Sequence, residues 1–167
     1  MALYLAIPAR KHKRAWKQAK RDFEQAGEQF CHSKTYRQFL HSCKRNTSEK
    51  TVPRGLVPDT LYFLMDEGRG KILGRISIRH RLNENLLHHG GHIGYAIAPS
   101  ERRKGYATEQ LRLGLEKCKE MGIGPVLVTC NKENAASSKV IQKNGGVLED
   151  ERVSGEGKVF QRYWITL

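Results

Sequence analysis

The 167-residue chain has no apolar run approaching the ~20 residues needed to span a bilayer. Its opening "MALYLAIPAR" meets the cations of "KHKR" too soon to form the apolar region of a secretory signal. Both lacks point to a cytoplasmic protein with no membrane partner. Cysteine is scarce as well. Cys31, Cys43, Cys118 and Cys130 form no CxxC pair and keep no regular spacing, which argues against a disulfide framework and reads as reduced thiols. Without repeats, low-complexity tracts or linkers, residues 1–167 read as one domain long enough to bury a core. Acidic residues are the remaining shortage. Seventeen Asp and Glu stand against 30 Lys and Arg, a formal net charge of +13. Such a surplus favours anionic partners: nucleic acid, an acidic protein or a polyphosphate.

Local patterns supply the elements. A strand over 3–7 ends at Pro8, and Ala15, Trp16, Ala19 and Phe23 recur at helical spacing within 10–26 before Gly27. A second helix over 35–44 carries Tyr36, Phe39 and Leu40 on one side, and a polar loop with two prolines covers 45–59. Strands at 60–66 and 71–80 flank an "EGRG" turn, and a third at 92–99 closes on Pro99. A helix over 105–121 places Leu111, Leu115 and Cys118 on one stripe. It is followed by a buried-type strand (125–131), a short helix (134–146) and a final hairpin of "GVLEDERV" and "KVFQRYWITL". This order predicts an α/β (α+β) fold with a mixed, mostly antiparallel central sheet and helices on both faces.

Within "PSERRKGYATEQLRLGLEKC" (99–118), Arg102, Arg103 and Lys104 precede a helix N-terminus whose partial positive charge repels them. An anion in front of that helix resolves the conflict. Gly105 lets a phosphate approach the backbone, and successive amides from Arg103 to Thr108 can point into one concavity. Neither the Walker A pattern nor the dinucleotide fingerprint is present. A pyrophosphate is the guest of matching size.

The stretch resembles the signature of the GNAT superfamily of N-acetyltransferases: Gln or Arg, two residues, Gly, one residue, then Gly or Ala. Arg102, Gly105 and Ala107 stand in those places. The strand "IGYAIAP", the strand "VLVTC" and "NKENAASSKVIQKNGG" resemble the family's neighbouring motifs, and the element order fits along essentially the whole chain. The resemblance implies an acetyl-CoA-dependent N-acetyltransferase acting on an amine of a small molecule or of a peptide or protein. It assigns the pyrophosphate to the amides of Arg103, Lys104, Gly105, Tyr106, Ala107 and Thr108, with Arg102 and its neighbours attracting the cofactor's charges. The pantetheine arm falls to the backbone of Tyr95, Ala96 and Ile97, and a further cofactor contact to Asn134. No metal is implied, and a homodimer is compatible with the family.

Catalysis is less fully written. An alkyl amine with a pKa near ~10 must lose a proton before attack. His92, at the start of the strand bordering the acceptor site, is the candidate base. A backbone N–H of a bulged 92–98 strand is the candidate oxyanion donor. His88, His89 and His92 suggest a metal site only weakly, since no carboxylate or cysteine completes it, and a glycine-rich turn is expected there. Many family members place a general-acid tyrosine where this chain has Ile141, which leaves Ser137, Ser138, water or the substrate's own proton. The acceptor is open between a cationic amine, which wants Glu or Asp nearby, and an acidic peptide, which prefers the basic segment 10–21. Trp16, Phe30, Tyr36, Glu84, Glu149 and Glu156 lie on the segments expected around it. Two rivals stand beside the enzyme: a CoA-binding protein that has lost catalysis, and a basic nucleic-acid-binding module without zinc spacing or an aromatic RNP-type strand.

Overall fold

A computed structural model describes residues 2–167. Strands β1 (Leu3–Ala6), β2 (Asp59–Asp66), β3 (Lys71–Arg79) and β4 (Ile93–Ile97) form one antiparallel sheet in chain order. Strands β5 (Val126–Asn131), β6 (Val147–Val153) and β7 (Val159–Ile165) form a second, with β7 in the middle. Helices α1 (Lys13–Gln25) and α2 (Tyr36–Arg45) precede β2; α3 (Glu84–His88), α4 (Tyr106–Glu120) and α5 (Ala135–Lys143) follow β3, β4 and β5.

Strand alternation assigns the faces. Phe63 and Met65 of β2 meet Trp16, Ala19 and Phe23 of α1 and Tyr36 and Phe39 of α2, with Phe39 stacked on Phe63 at 5.7 Å between centroids. Tyr62, Ile76 and Ile78 point the other way, onto Leu111, Leu115 and Cys118 of α4. Because both faces are covered, β2 is buried at every position from Tyr62 to Asp66, and Tyr62 to Met65 form a continuous apolar run rather than an alternation. Gly114 brings α4 down on β3: a Cβ there would lie 2.4 Å from Ile76 Cδ1.

The predicted class holds, and the structure adds that the sheet parts between β4 and β5. The two halves touch through an isolated bridge, Gly91 to Val128. Gly91 has φ +66°, and a Cβ on it would sit 2.3 Å from the Leu127 carbonyl oxygen, so a side chain there would force the halves apart. The stretch expected as a turn before β4 contains α3, started by Asn83, whose side chain accepts from the Leu86 N–H. His88 and His89 pack against Phe160 on β7. Together with His92 they form no metal-binding cluster among the described residues.

Candidate active site

The loop between β4 and α4 begins as a 3-10 turn over Pro99–Glu101 and passes through left-handed backbone at Arg103 (φ 64°) and Gly105 (φ 83°). Helix α4 then starts without a side-chain cap. Among the described residues, none of the six amide N–H groups from Arg103 to Thr108 finds an acceptor in the protein. The loop is braced from two sides. Asp22 on α1 accepts from the Ser100 hydroxyl at 2.6 Å, and Glu28 takes both terminal nitrogens of Arg102 at 2.8 Å, while Arg102 Nε reaches the Ile97 carbonyl at 3.1 Å. Buried Glu101 accepts from Arg69 (3.1 Å), Lys71 (2.8 Å) and Lys104 (3.1 Å). Burial pushes its carboxyl pKa up, but those three cations outweigh burial and bring it down to about 2.

This corrects the simple reading of three cations opposing a helix. Arg102 and Lys104 are each matched to a carboxylate held by the fold; Arg103 has no side-chain partner among the described residues. The sequence offered only a weak hint of this, an acidic residue three before Lys104. The bracing residues Asp22, Glu28, Arg69 and Lys71 are far away in the chain.

The edge of β4 that faces the second sheet is selective. Arg79 N–H bonds the His92 carbonyl and Ala98 N–H bonds the Leu73 carbonyl, so the even-numbered residues of this stretch exchange with β3. Ala96 is therefore turned inward, its carbonyl against Gly74, and only Tyr95 and Ile97 of the expected trio direct their backbone to the gap. The expected bulge in this strand is not there: β3 and β4 pair in unbroken register, and the irregularity in this sheet falls at Leu64/Met65.

His92 is engaged within the fold. It is buried, its ring Nδ1 accepts the Leu127 N–H at 3.0 Å, and its backbone N–H donates to the Leu127 carbonyl at 2.8 Å. An Nδ1 that accepts leaves the proton of the neutral ring on Nε2, so the imidazole has no lone pair to offer a substrate amine. Burial, then the charge of Arg79, lowers its pKa. His92 thus fastens the two sheets.

Across the gap, α5 presents hydroxyls. Ser137 Oγ pairs with Tyr95 OH at 2.8 Å, and Ser138 Oγ with Tyr163 OH at 2.7 Å. The Tyr95 partner escaped the sequence reading because nothing local links β4 to α5. Asn134 caps α5, its side-chain oxygen taking the Ser137 N–H at 3.0 Å, which leaves Nδ2 without a bond among the described residues. Ile141 is wholly buried in the core. Of the acidic residues expected around the acceptor, Glu149 is taken up by Arg162 and by Trp164 Nε1 (2.7 Å). Trp16, Phe30 and Tyr36 belong to the α1/α2 core.

Antiparallel half-sheets thus part beside an uncapped helix start, with helices on both faces. Residues 10–147 match the family model described as the acetyltransferase (GNAT) domain, and the chain belongs to that family of N-acetyltransferases. The fold is similar over 100% of this chain and 95% of the other to RimL, a ribosomal alpha-N-protein acetyltransferase solved with coenzyme A (TM-score 0.72, 17% identity). It is also similar to a GNAT-family acetyltransferase from Bacillus anthracis (TM-score 0.68, 20% identity, 99% and 95% covered). A chimera of the Vibrio cholerae spermidine N-acetyltransferase SpeG with hSSAT is similar as well (TM-score 0.66, 15% identity, 99% and 96% covered). No curated protein sequence matches the chain.

Proposed function

We propose that the chain, as one domain over residues 1–167, binds acetyl-CoA and moves its acetyl group directly to an amine of a small molecule or of a peptide or protein. The observation that carries this reading is the run of six amides, Arg103 to Thr108, without protein acceptors, held in a loop fixed by Asp22, Glu28 and Glu101. Such a concavity fits a pyrophosphate, and Arg103 adds an unpaired charge. Tyr95 and Ile97 offer strand-like backbone groups to the pantetheine arm, and Asn134 offers Nδ2. Acetyl-CoA supplies an acetyl thioester. The protein supplies position, which holds amine and thioester at reacting distance, and Ser137, backed by Tyr95, donates toward the departing thiolate. Ser137 thus stands in for the tyrosine replaced by Ile141. With His92 committed to Leu127, the amine gives its proton to water or to a carboxylate on the acceptor side.

Isothermal titration with acetyl-CoA at moderate and high salt tests this. Saturable binding that survives high salt, and that Gly105→Glu abolishes while the chain still unfolds cooperatively, is the expected result. Equal affinity in Gly105→Glu would move the site elsewhere. Turnover on any amine separates the enzyme from an inactive CoA binder. A nucleic-acid module would instead bind duplex DNA or RNA with a steep salt dependence.

A further inference from the structure

We propose that the acceptor carries a carboxylate near its amine, and that Arg75 holds that carboxylate. The inference rests on the acetyl-transfer reading above and concerns the opposite face of the sheet from α4.

On β3, Arg75, Ser77 and Arg79 alternate with Ile76 and Ile78, so the three polar residues lie on the α1/α2 side. Their partners on β4 are small where it matters: Arg75 stands opposite Ala96 and Ser77 opposite Gly94. Ala96 sits between Tyr95 and Ile97, whose backbones border the gap. With neighbouring strands ~5 Å apart, Arg75 is thus one strand away from the proposed path of the pantetheine arm.

The guanidinium of Arg75 is unmatched. It makes no hydrogen bond and no ion pair among the described residues, and its Nε is fully buried without a partner. Its one marked neighbour is the ring of Phe30, 5.8 Å away. The other arginines of the interior have anchored terminal nitrogens: Arg79 donates to the carbonyls of Gly90 and Gly91, and Arg162, whose Nε is likewise unpartnered, donates through both terminal nitrogens to Glu149, Asp150 and the Leu87 carbonyl. Burial pulls the Arg75 pKa below its ordinary value, as expected of a cation short of an anion. A carboxylate fits a guanidinium through two parallel bonds and relieves that cost.

Arg75 opens into a cleft of about 400 Å³ between the α1–α2 segment and β2–β3, large enough for an amino acid or a peptide end. Asp59 is the one carboxylate lining it, and Asp59 accepts from the Ser77 hydroxyl. A guanidinium and a carboxylate in one cleft complement a molecule with both an ammonium and a carboxylate. A polyamine, cationic throughout, would meet Arg45 and Arg75 against a single Asp59. The carboxylate has two sources, the free α-carboxylate of an amino acid or an Asp or Glu side chain early in a peptide.

Paired acceptors test the proposal: alanine against alaninamide, and an N-terminal Ser-Glu peptide amide against its Ser-Gln twin, with spermidine as the cationic comparison. The acid member of one pair is expected to exceed its neutral twin by about tenfold or more in kcat/KM, as a charge-assisted bond would give. Arg75→Gln should remove that preference by raising KM for the acid while moving the neutral twin less than about twofold. Arg75→Lys should keep part of it. Whichever pair shows the preference identifies the source. Titration of N-acetylalanine and of the acetylated Ser-Glu peptide into CoA-loaded protein gives a readout apart from turnover, with binding by wild type of one of them and its loss in Arg75→Gln. Equal use of acid and neutral twins, preference for spermidine, or equal loss of both twins in Arg75→Gln would overturn the assignment. Absent acetyl-CoA binding would instead mark failure of the underlying reading.

Discussion

The Leu127 N–H is satisfied by one ring nitrogen, and that makes His92 a stability residue with a pH signature. Its folded pKa lies below 6.5, so between that folded value and 6.5 the unfolded chain binds more protons than the folded one. Stability therefore falls as pH drops below about 6.5. Burial lowers His12 and His89 in the same direction, and both remain in a variant. His92→Asn, whose amide oxygen can take the same N–H, should retain the fold and flatten part of the loss of melting temperature between pH 7 and pH 5. His92→Ala should cost about 1–3 kcal/mol at pH 7 by leaving the N–H unmet. Unchanged curves in both variants would contradict the fastening role. Gln110 is the inverse case: it is wholly buried on the inner side of α4, with neither side-chain atom bonded. Gln110→Met should therefore gain about 1 kcal/mol, or a few degrees in melting temperature, and a drop would show an unseen partner.

At the scale of elements, the β4–α4 loop depends on Glu101 more than on its own cations. Replacing that buried carboxylate in Glu101→Gln leaves Arg69, Lys71 and Lys104, all partly exposed, facing one another, at a cost of about 2–3 kcal/mol at pH 7. The wild-type carboxyl titrates near 2 folded against 4.5 unfolded, so its contribution is complete above about 4.5 and fades as pH falls toward 2. Urea midpoints of wild type and variant should converge as the buffer is taken below pH 4.5. A constant gap would mean the carboxylate acts by shape instead of charge. The same loop shows what the chain discloses and what it conceals. Helices α1, α2 and α4 were readable because residues such as Trp16, Ala19 and Phe23 repeat locally, and the amide run was readable from Gly105 and Ala107. The Glu28–Arg102 pair joins residues 74 apart and the His92–Leu127 bond residues 35 apart, so no window of sequence contains them. Helix α3 has five residues, too few to show a period.

For the whole molecule, the charge of +13 is only partly aimed at the cofactor loop. Arg102 is already paired with Glu28, whereas Lys104 shares Glu101 with Arg69 and Lys71, so acetyl-CoA affinity should depend moderately on salt, with Arg103→Ala removing the largest single part of that dependence. A steep slope retained in Arg103→Ala would assign the attraction to other basic surfaces such as α1.

The placement of β7 has a consequence for how the chain can be cut. All pairing of the first sheet is complete by Ile97, but the second sheet is organised around the last strand in chain order: β5 and β6 touch β7 and not each other. Removing residues 158–167 would not trim an edge. It would take out the middle strand with Arg162, leaving two strands without partners and Glu149 without its cation, while Asp150 keeps Arg152. Soluble expression of such a shortened chain, with the first half protected from proteolysis and the rest degraded, is the pattern this topology dictates.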